Sequence, residues 1–162
     1  MKIIRWLDNN LENYLTFLFY LYLVLIVFVE VFRRYVLGDS SMWGEETARY
    51  AFVWMTYIAA AKGVKTRSHL AIDSLITLGG RKLKLTSYIL SDICFFILAV
   101  IIVYYSMFPV LMNIEFDVAM TGSSLPMALA TIAVPIGWTL IAVRVIQRFL
   151  NTIKNYRSQE NF

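Results

Sequence analysis

Charge is scarce in this 162-residue chain. Only 16% of its residues are Asp, Glu, Lys or Arg, while 59% are hydrophobic, against about 25% and 45–50% in a soluble domain. Mean hydropathy is +0.64. The apolar excess has to face lipid. Cys94 is the only cysteine, which excludes an internal disulfide. It lies in an apolar run, where a thiol acts as a small hydrophobe. His69 is the only histidine, which excludes the paired intramembrane histidines of a haem-binding anchor subunit. There is no Gly-rich phosphate loop, no Cys pair, no His-Glu-x-x-His and no nucleophile elbow. The sequence therefore gives no sign of an enzyme, a cofactor or a metal site.

What is present is four long apolar stretches. A bilayer core of about 30 Å needs about 20 residues of helix, and the stretches at about 14–37, 43–64, 85–112 and 126–150 approach that length. The expected fold is all-α: one membrane domain, an integral bundle of four transmembrane helices. The second stretch is the weakest, because it spans only if Glu45, Glu46 and Arg49 sit at the interface or are shielded by a neighbour. Lys2 and Arg5 precede a stretch too long for a signal peptide and without an Ala-x-Ala-like site, so it reads as a retained first helix.

The net charge of +4 reads as topology rather than as nucleic-acid binding. With both termini in the cytoplasm, twelve of the fifteen Lys and Arg lie inside, leaving Arg33, Arg34 and Arg49 outside. That satisfies the positive-inside rule. The cytoplasmic loop carries apolar residues at mixed helical spacing up to Gly79-Gly80, which suggests a short amphipathic helix in the interface over about 66–78. The tail over 155–162 is polar and expected to be loose.

Ionisable residues inside the spans are functional candidates, because burying a charge in lipid is costly. Glu30 has two readings. One is a proton or cation site, which would make the chain a self-contained four-helix antiporter. The favoured one is a local ion pair with Arg33 or Arg34, three and four residues away. Asp92 is expected to pair with a basic loop residue, to hydrogen-bond across helices or to contact a partner chain. Glu45 and Glu46 suit the positive end of a helix dipole and stand within reach of Arg49. Trp43 suits interface anchoring. Pro135 and Gly137 interrupt the fourth stretch, and a single proline there reads as a kink.

The stretch Trp43-x-Glu45-Glu46-x-x-Arg49-x-x-Phe52-x-Trp54 resembles the signature of the small, DctQ-like membrane subunit of tripartite ATP-independent periplasmic (TRAP) transporters. So does His69-Leu-Ala-Ile72-Asp73-x-Leu75, which follows in the same order. The resemblance covers most of the chain. It implies a non-catalytic scaffold in the bacterial inner membrane, surrounded by lipids. Its expected partners are a large membrane subunit holding the substrate and sodium sites, and a periplasmic substrate-binding protein that delivers an organic acid such as sialic acid or a C4-dicarboxylate. On that view Trp43, Glu45, Glu46, Arg49, Phe52, Trp54, His69 and Asp73 order the bundle or its contacts.

Overall fold

Neither glycine nor proline occurs before Gly38, so nothing interrupts a helix begun at the N-terminus. In the computed structural model, which describes residues 2–39, 41–65 and 81–160 and the side-chain surroundings of 10–39, 41–64 and 86–154, α1 accordingly runs over Lys2–Phe32. It starts well before the apolar stretch because Asp8, Asn9 and Asn10 are polar but do not break a helix. The helix then widens into a π turn over Arg33–Leu37, closed when the Gly38 N–H donates to the Arg33 carbonyl. Gly38 ends it at φ 69°, a left-handed conformation that costs glycine little.

Helix α2 covers Met42–Lys65 and α3 covers Arg81–Glu115. A loop follows, held by the Met120 N–H on the Leu125 carbonyl at 2.9 Å and the Met127 N–H on the Val118 carbonyl at 2.8 Å. The expected single helix over 126–150 is two pieces, α4 over Ala128–Thr131 and α5 over Ala133–Glu160. Pro135 explains the break, because it has no N–H to continue the ladder from α4. Helix α5 continues to Glu160, into the stretch expected to be loose. Among the described residues there is no β-strand, only an isolated bridge between Ala119 and Pro126.

Three segments are long and apolar enough to cross a membrane: Asn10–Leu37, Thr86–Glu115 and Ala128–Lys154. The expected second span forms a helix but does not qualify with these three on apolarity. The expected interfacial helix over 66–78, with His69 and Asp73, lies outside the described residues.

The helices do not close into a round bundle. Among the described residues, packing runs from α1 to α2, from α2 to α5 and from α5 to α3, with no comparable contact returning α3 to α1. Only 6% of the most apolar window of α1 and 11% of that of α3 are buried, against 39% for the last span. So α2 and α5 form the middle of an open row, and α1 and α3 are its edges. The core is Ala61 and Val64 of α2 against Ile141 and Val145 of α5, flanked by Tyr57, Phe95 and Trp138. The small Ala61 lets the two helix axes approach closely.

Gly137 makes the same approach possible one turn earlier on α5. A β-carbon there would stand 2.5 Å from both Cβ and Cγ of Tyr57, too close for the Tyr57 backbone to yield cheaply. Gly137→Leu is therefore expected to lower the thermal midpoint of the detergent-purified chain, at an overpacking cost of about 1–3 kcal/mol. Tyr57→Ala in the same chain should restore part of it. Circular dichroism melting reads both, and an unshifted midpoint for Gly137→Leu would contradict the α2–α5 contact.

Candidate functional site

Helix α5 carries Arg144 and Arg148, four residues and therefore about one turn apart. The two guanidiniums reach all three of the other long helices. Arg144 Nε donates to Glu12 Oε1 of α1 at 2.6 Å, with the two side chains 9% and 7% exposed. Its Nη1 donates to Gln147 Oε1 at 2.6 Å. Arg148 Nη2 pairs with Asp92 of α3, the side chains 11% and 4% exposed. Its Nη1 donates to the Val64 carbonyl of α2 at 3.4 Å, and its guanidinium lies 6.0 Å from the Phe95 ring centroid.

Buried charges of this kind are tolerated only in pairs, and removing one partner strands the other at a cost of about 3–5 kcal/mol. Even so, the second pair is not fully satisfied: Asp92 Oδ2 and Arg148 Nε have no hydrogen-bond partner among the described residues.

The opposite end of the row is held by carboxylates on backbone and hydroxyl donors. Glu30 of α1 accepts from the Ser41 N–H at 3.1 Å and from the Ser41 hydroxyl, while Arg33 stands 3.9 Å away. That ties α1 to the start of α2. Buried Glu46 accepts from the Gly122 N–H at 2.7 Å, the Thr121 N–H at 3.2 Å and the Tyr50 hydroxyl at 3.3 Å. A carboxylate facing two adjacent backbone N–H groups fixes the 116–127 loop against α2. The approach needs Gly122, where a β-carbon would meet the Met42 carbonyl carbon at 2.6 Å and the Trp43 nitrogen at 2.7 Å. Nearby, the Trp54 indole stacks on Phe19 with centroids 6.4 Å apart and donates to the Leu129 carbonyl at 3.3 Å. Trp54 thus touches both α1 and α4.

The structure separates the residues that the Trp43–Trp54 pattern groups together. Glu46 and Trp54 face inward and hold neighbours. Glu45 is exposed and pairs with Arg34 at 3.7 Å, not with Arg49. Glu46 does not pair with Arg49 either. Arg49 is exposed and makes no ion pair among the described residues. Trp43 and Phe52 are 43% and 53% exposed. Asp92 does hydrogen-bond across helices, but its partner is Arg148 of a span rather than a loop residue. The expected pairing of Glu30 with Arg33 is present at the long distance given above, yet Ser41 supplies its closer contacts. Two residues escape a reading of spans and motifs: Glu12, which sits just before the uncharged run, and Arg144, which falls among residues assigned to the basic cytoplasmic end. Single charges spaced one turn apart on an otherwise apolar helix face were the available signal.

What this arrangement does chemically is hold helices together. Glu12, Glu30, Glu46, Asp92, Arg144 and Arg148 are engaged in ion pairs or hydrogen bonds between elements. The fold and these contacts define a multi-pass, all-helical membrane protein whose buried charges are structural. The family described as "Tripartite ATP-independent periplasmic transporters, DctQ component" matches residues 23–155, and the chain belongs to that family: it is a TRAP small membrane subunit of the bacterial inner membrane. It is 25% identical over 158 residues to the isethionate TRAP transporter permease protein DctMQ of Oleidesulfovibrio alaskensis, covering 94% of this chain and 25% of that protein. It is 23% identical over 154 residues to the sialic acid TRAP transporter small permease protein SiaQ of Vibrio cholerae, covering 95% of this chain and 88% of SiaQ. The C4-dicarboxylate TRAP transporter small permease protein DctQ of Vibrio cholerae is 30% identical over 76 residues, 47% of this chain and 33% of that one. The chain thus spans a quarter of one relative's length and most of another's.

If the guanidiniums on α5 are the clamps, Arg144→Ala is expected to destabilise the chain by about 3–5 kcal/mol. Glu12→Ala should cost a similar amount, and the double variant much less than their sum, since the two residues share one interaction. Unfolding in mixed micelles measures the cycle. Additive losses would show that Glu12 and Arg144 act independently.

Proposed function

We propose that this chain is the non-catalytic small subunit of a sodium-coupled TRAP uptake system for an organic acid, of the sialic acid or C4-dicarboxylate type, and that it acts as a scaffold for the large transport subunit. The observation that carries this reading is the division of its surface. Inward-facing charges are spent between helices, while the edge helices α1 and α3 present long apolar faces, with Phe28 68% and Tyr104 76% exposed. A transporter needs polar groups converging on its cargo near the bilayer midplane, and here those groups are already engaged. The substrate class rests on the names of the relatives, and sodium coupling on the family resemblance.

In this reading α2 is the fourth span, shielded by α1 and α5 on its two sides. Both termini and the 66–78 segment, with His69 and Asp73, lie on the cytoplasmic side. A periplasmic substrate-binding protein meets the opposite face. A self-contained antiporter built on Glu30 gains no support from the geometry, because Ser41 already occupies that carboxylate.

Arg49 is the residue left over. It lies about 10 Å along α2 from Met42, exposed and without an ion-pair partner among the described residues. A lipid-facing guanidinium is unfavourable, so a carboxylate of the large subunit is its natural complement. Arg49→Ala should reduce the amount of large subunit copurifying in mild detergent severalfold, with Arg49→Lys intermediate because it keeps the charge but loses the fork. Substrate affinity of the complex that still forms should be unchanged. Full recovery of the large subunit together with altered substrate affinity would contradict the scaffold reading.

A further inference from the structure

The two edge helices differ in how their backbones are satisfied. Helix α1 has neither proline nor glycine, so its ladder of hydrogen bonds from each N–H to the carbonyl four residues back is unbroken to Phe32. Helix α3 carries Pro109 in its interior. Proline has no N–H, so the Tyr105 carbonyl, four residues before it, loses its donor. Ser106, the nearest hydroxyl in sequence, donates to the Val103 carbonyl at 3.1 Å instead. Tyr105 lies about 15 Å of helix inside the Glu115 end of the Thr86–Glu115 segment. That segment is about 45 Å long, and the hydrocarbon fills about 30 Å of it, so the carbonyl is within the apolar layer. Tyr104 and Tyr105 meet edge to face with centroids 5.4 Å apart, and both are exposed together with Phe108 and Pro109. The freed carbonyl therefore lies on the outer face of α3. The link from Lys65 enters this helix at Arg81, about 36 Å away along its axis.

Building on the scaffold role given above, we propose that this face of α3, and not α1, is where the large subunit docks, one of its transmembrane helices presenting a hydroxyl or amide donor to the Tyr105 carbonyl. Lipid tails offer no donor, and a carbonyl left bare in hydrocarbon is costly. A neighbouring helix is one of the means by which membrane proteins satisfy backbone groups freed by proline. Ser, Thr, Asn and Gln are the side chains that hydrogen-bond across helices in this way. The exposed rings of Tyr104, Tyr105 and Phe108 surround the position and supply apolar contact around that single hydrogen bond. The outer face of α1, with every carbonyl of its ladder matched by a donor, asks for nothing that lipid cannot give.

Tyr105–Ser106 is the only Tyr-Ser step in the chain, so tyrosine labelled with carbon-13 at the carbonyl, combined with nitrogen-15 serine, singles out this one peptide bond. The test is solid-state NMR of the full chain so labelled, in lipid bilayers, alone and copurified with its unlabelled large subunit. The Tyr105 carbonyl should resonate upfield, as a free carbonyl, in the chain alone and move downfield in the complex. Pro109→Ala, which returns an internal N–H, should resonate downfield in both samples and lower recovery of the large subunit about fivefold. Benzoylphenylalanine in place of Phe108 should photo-crosslink to the large subunit, while the same group in place of Phe28, exposed on α1, should not. Three results overturn the docking face and leave the scaffold role standing: an unmoved resonance in a complex that does copurify, a carbonyl already downfield in the chain alone, or crosslinking from Phe108 that is no greater than from Phe28 or reaches only lipid or a second copy of this chain. Failure of the parent chain to copurify with the large subunit overturns the scaffold role, and the docking face with it.

Discussion

The contact between α5 and its neighbours through Arg144 and Arg148 is the constraint on which the rest of the structure depends. A helix row in lipid has little hydrophobic drive to assemble, because a leucine is as well solvated by acyl chains as by another leucine. Buried charge supplies a drive that apolar packing cannot. An unpaired guanidinium or carboxylate at this depth is costly, so each helix that carries one is held to the helix that neutralises it. Two arginines a turn apart are enough to tie α5 to α1, α2 and α3. The Ala61–Val145 core and the close approach at Gly137 then set the spacing between α2 and α5.

At the other end the same logic runs through carboxylates. Glu30 and Glu46 take their closest contacts from backbone N–H and hydroxyl groups, with Arg33 only at the long end of an ion pair to Glu30, which suits a place where loops must be positioned. The buried contacts thus divide by place. Arg144 and Arg148 join helix to helix at one end of the row, and Glu30 and Glu46 join helix to loop at the other. With these inward charges paired, the outward faces of α1 and α3 stay apolar and exposed. An open row has more of that surface than a closed bundle of the same length, which suits the scaffold role proposed above.

Much of the helix content could be read in the sequence, since hydropathy, helix length and the Lys and Arg count are all local properties. The entry of α1 was the part least visible. Asp8, Asn9 and Asn10 argue against a span but not against a helix, so the helix begins many residues before the membrane does. The break ahead of Pro135 was signalled, though a kink and a separation into α4 and α5 look alike in one dimension. Spacing made Glu45, Glu46 and Arg49 look like a set, because residues three and four apart share a helix face. Longer-range partners won instead: Gly122 and Thr121 for Glu46, and Arg34 for Glu45. Glu12 and Arg144 are 132 residues apart, and no local pattern joins them. Membership of the TRAP small-subunit family was legible from the ordered motifs, whereas the division of labour within the first motif needed coordinates.

In the scaffold role proposed above, the acids and bases inside this chain are fasteners and not carriers. The most direct measurement is uptake of sodium and of labelled sialic acid or succinate by liposomes containing this purified chain and no other protein. No flux above protein-free liposomes is predicted. Sodium-dependent flux that disappears in Glu30→Gln would contradict the account, because Glu30 would then be moving ions instead of holding Ser41.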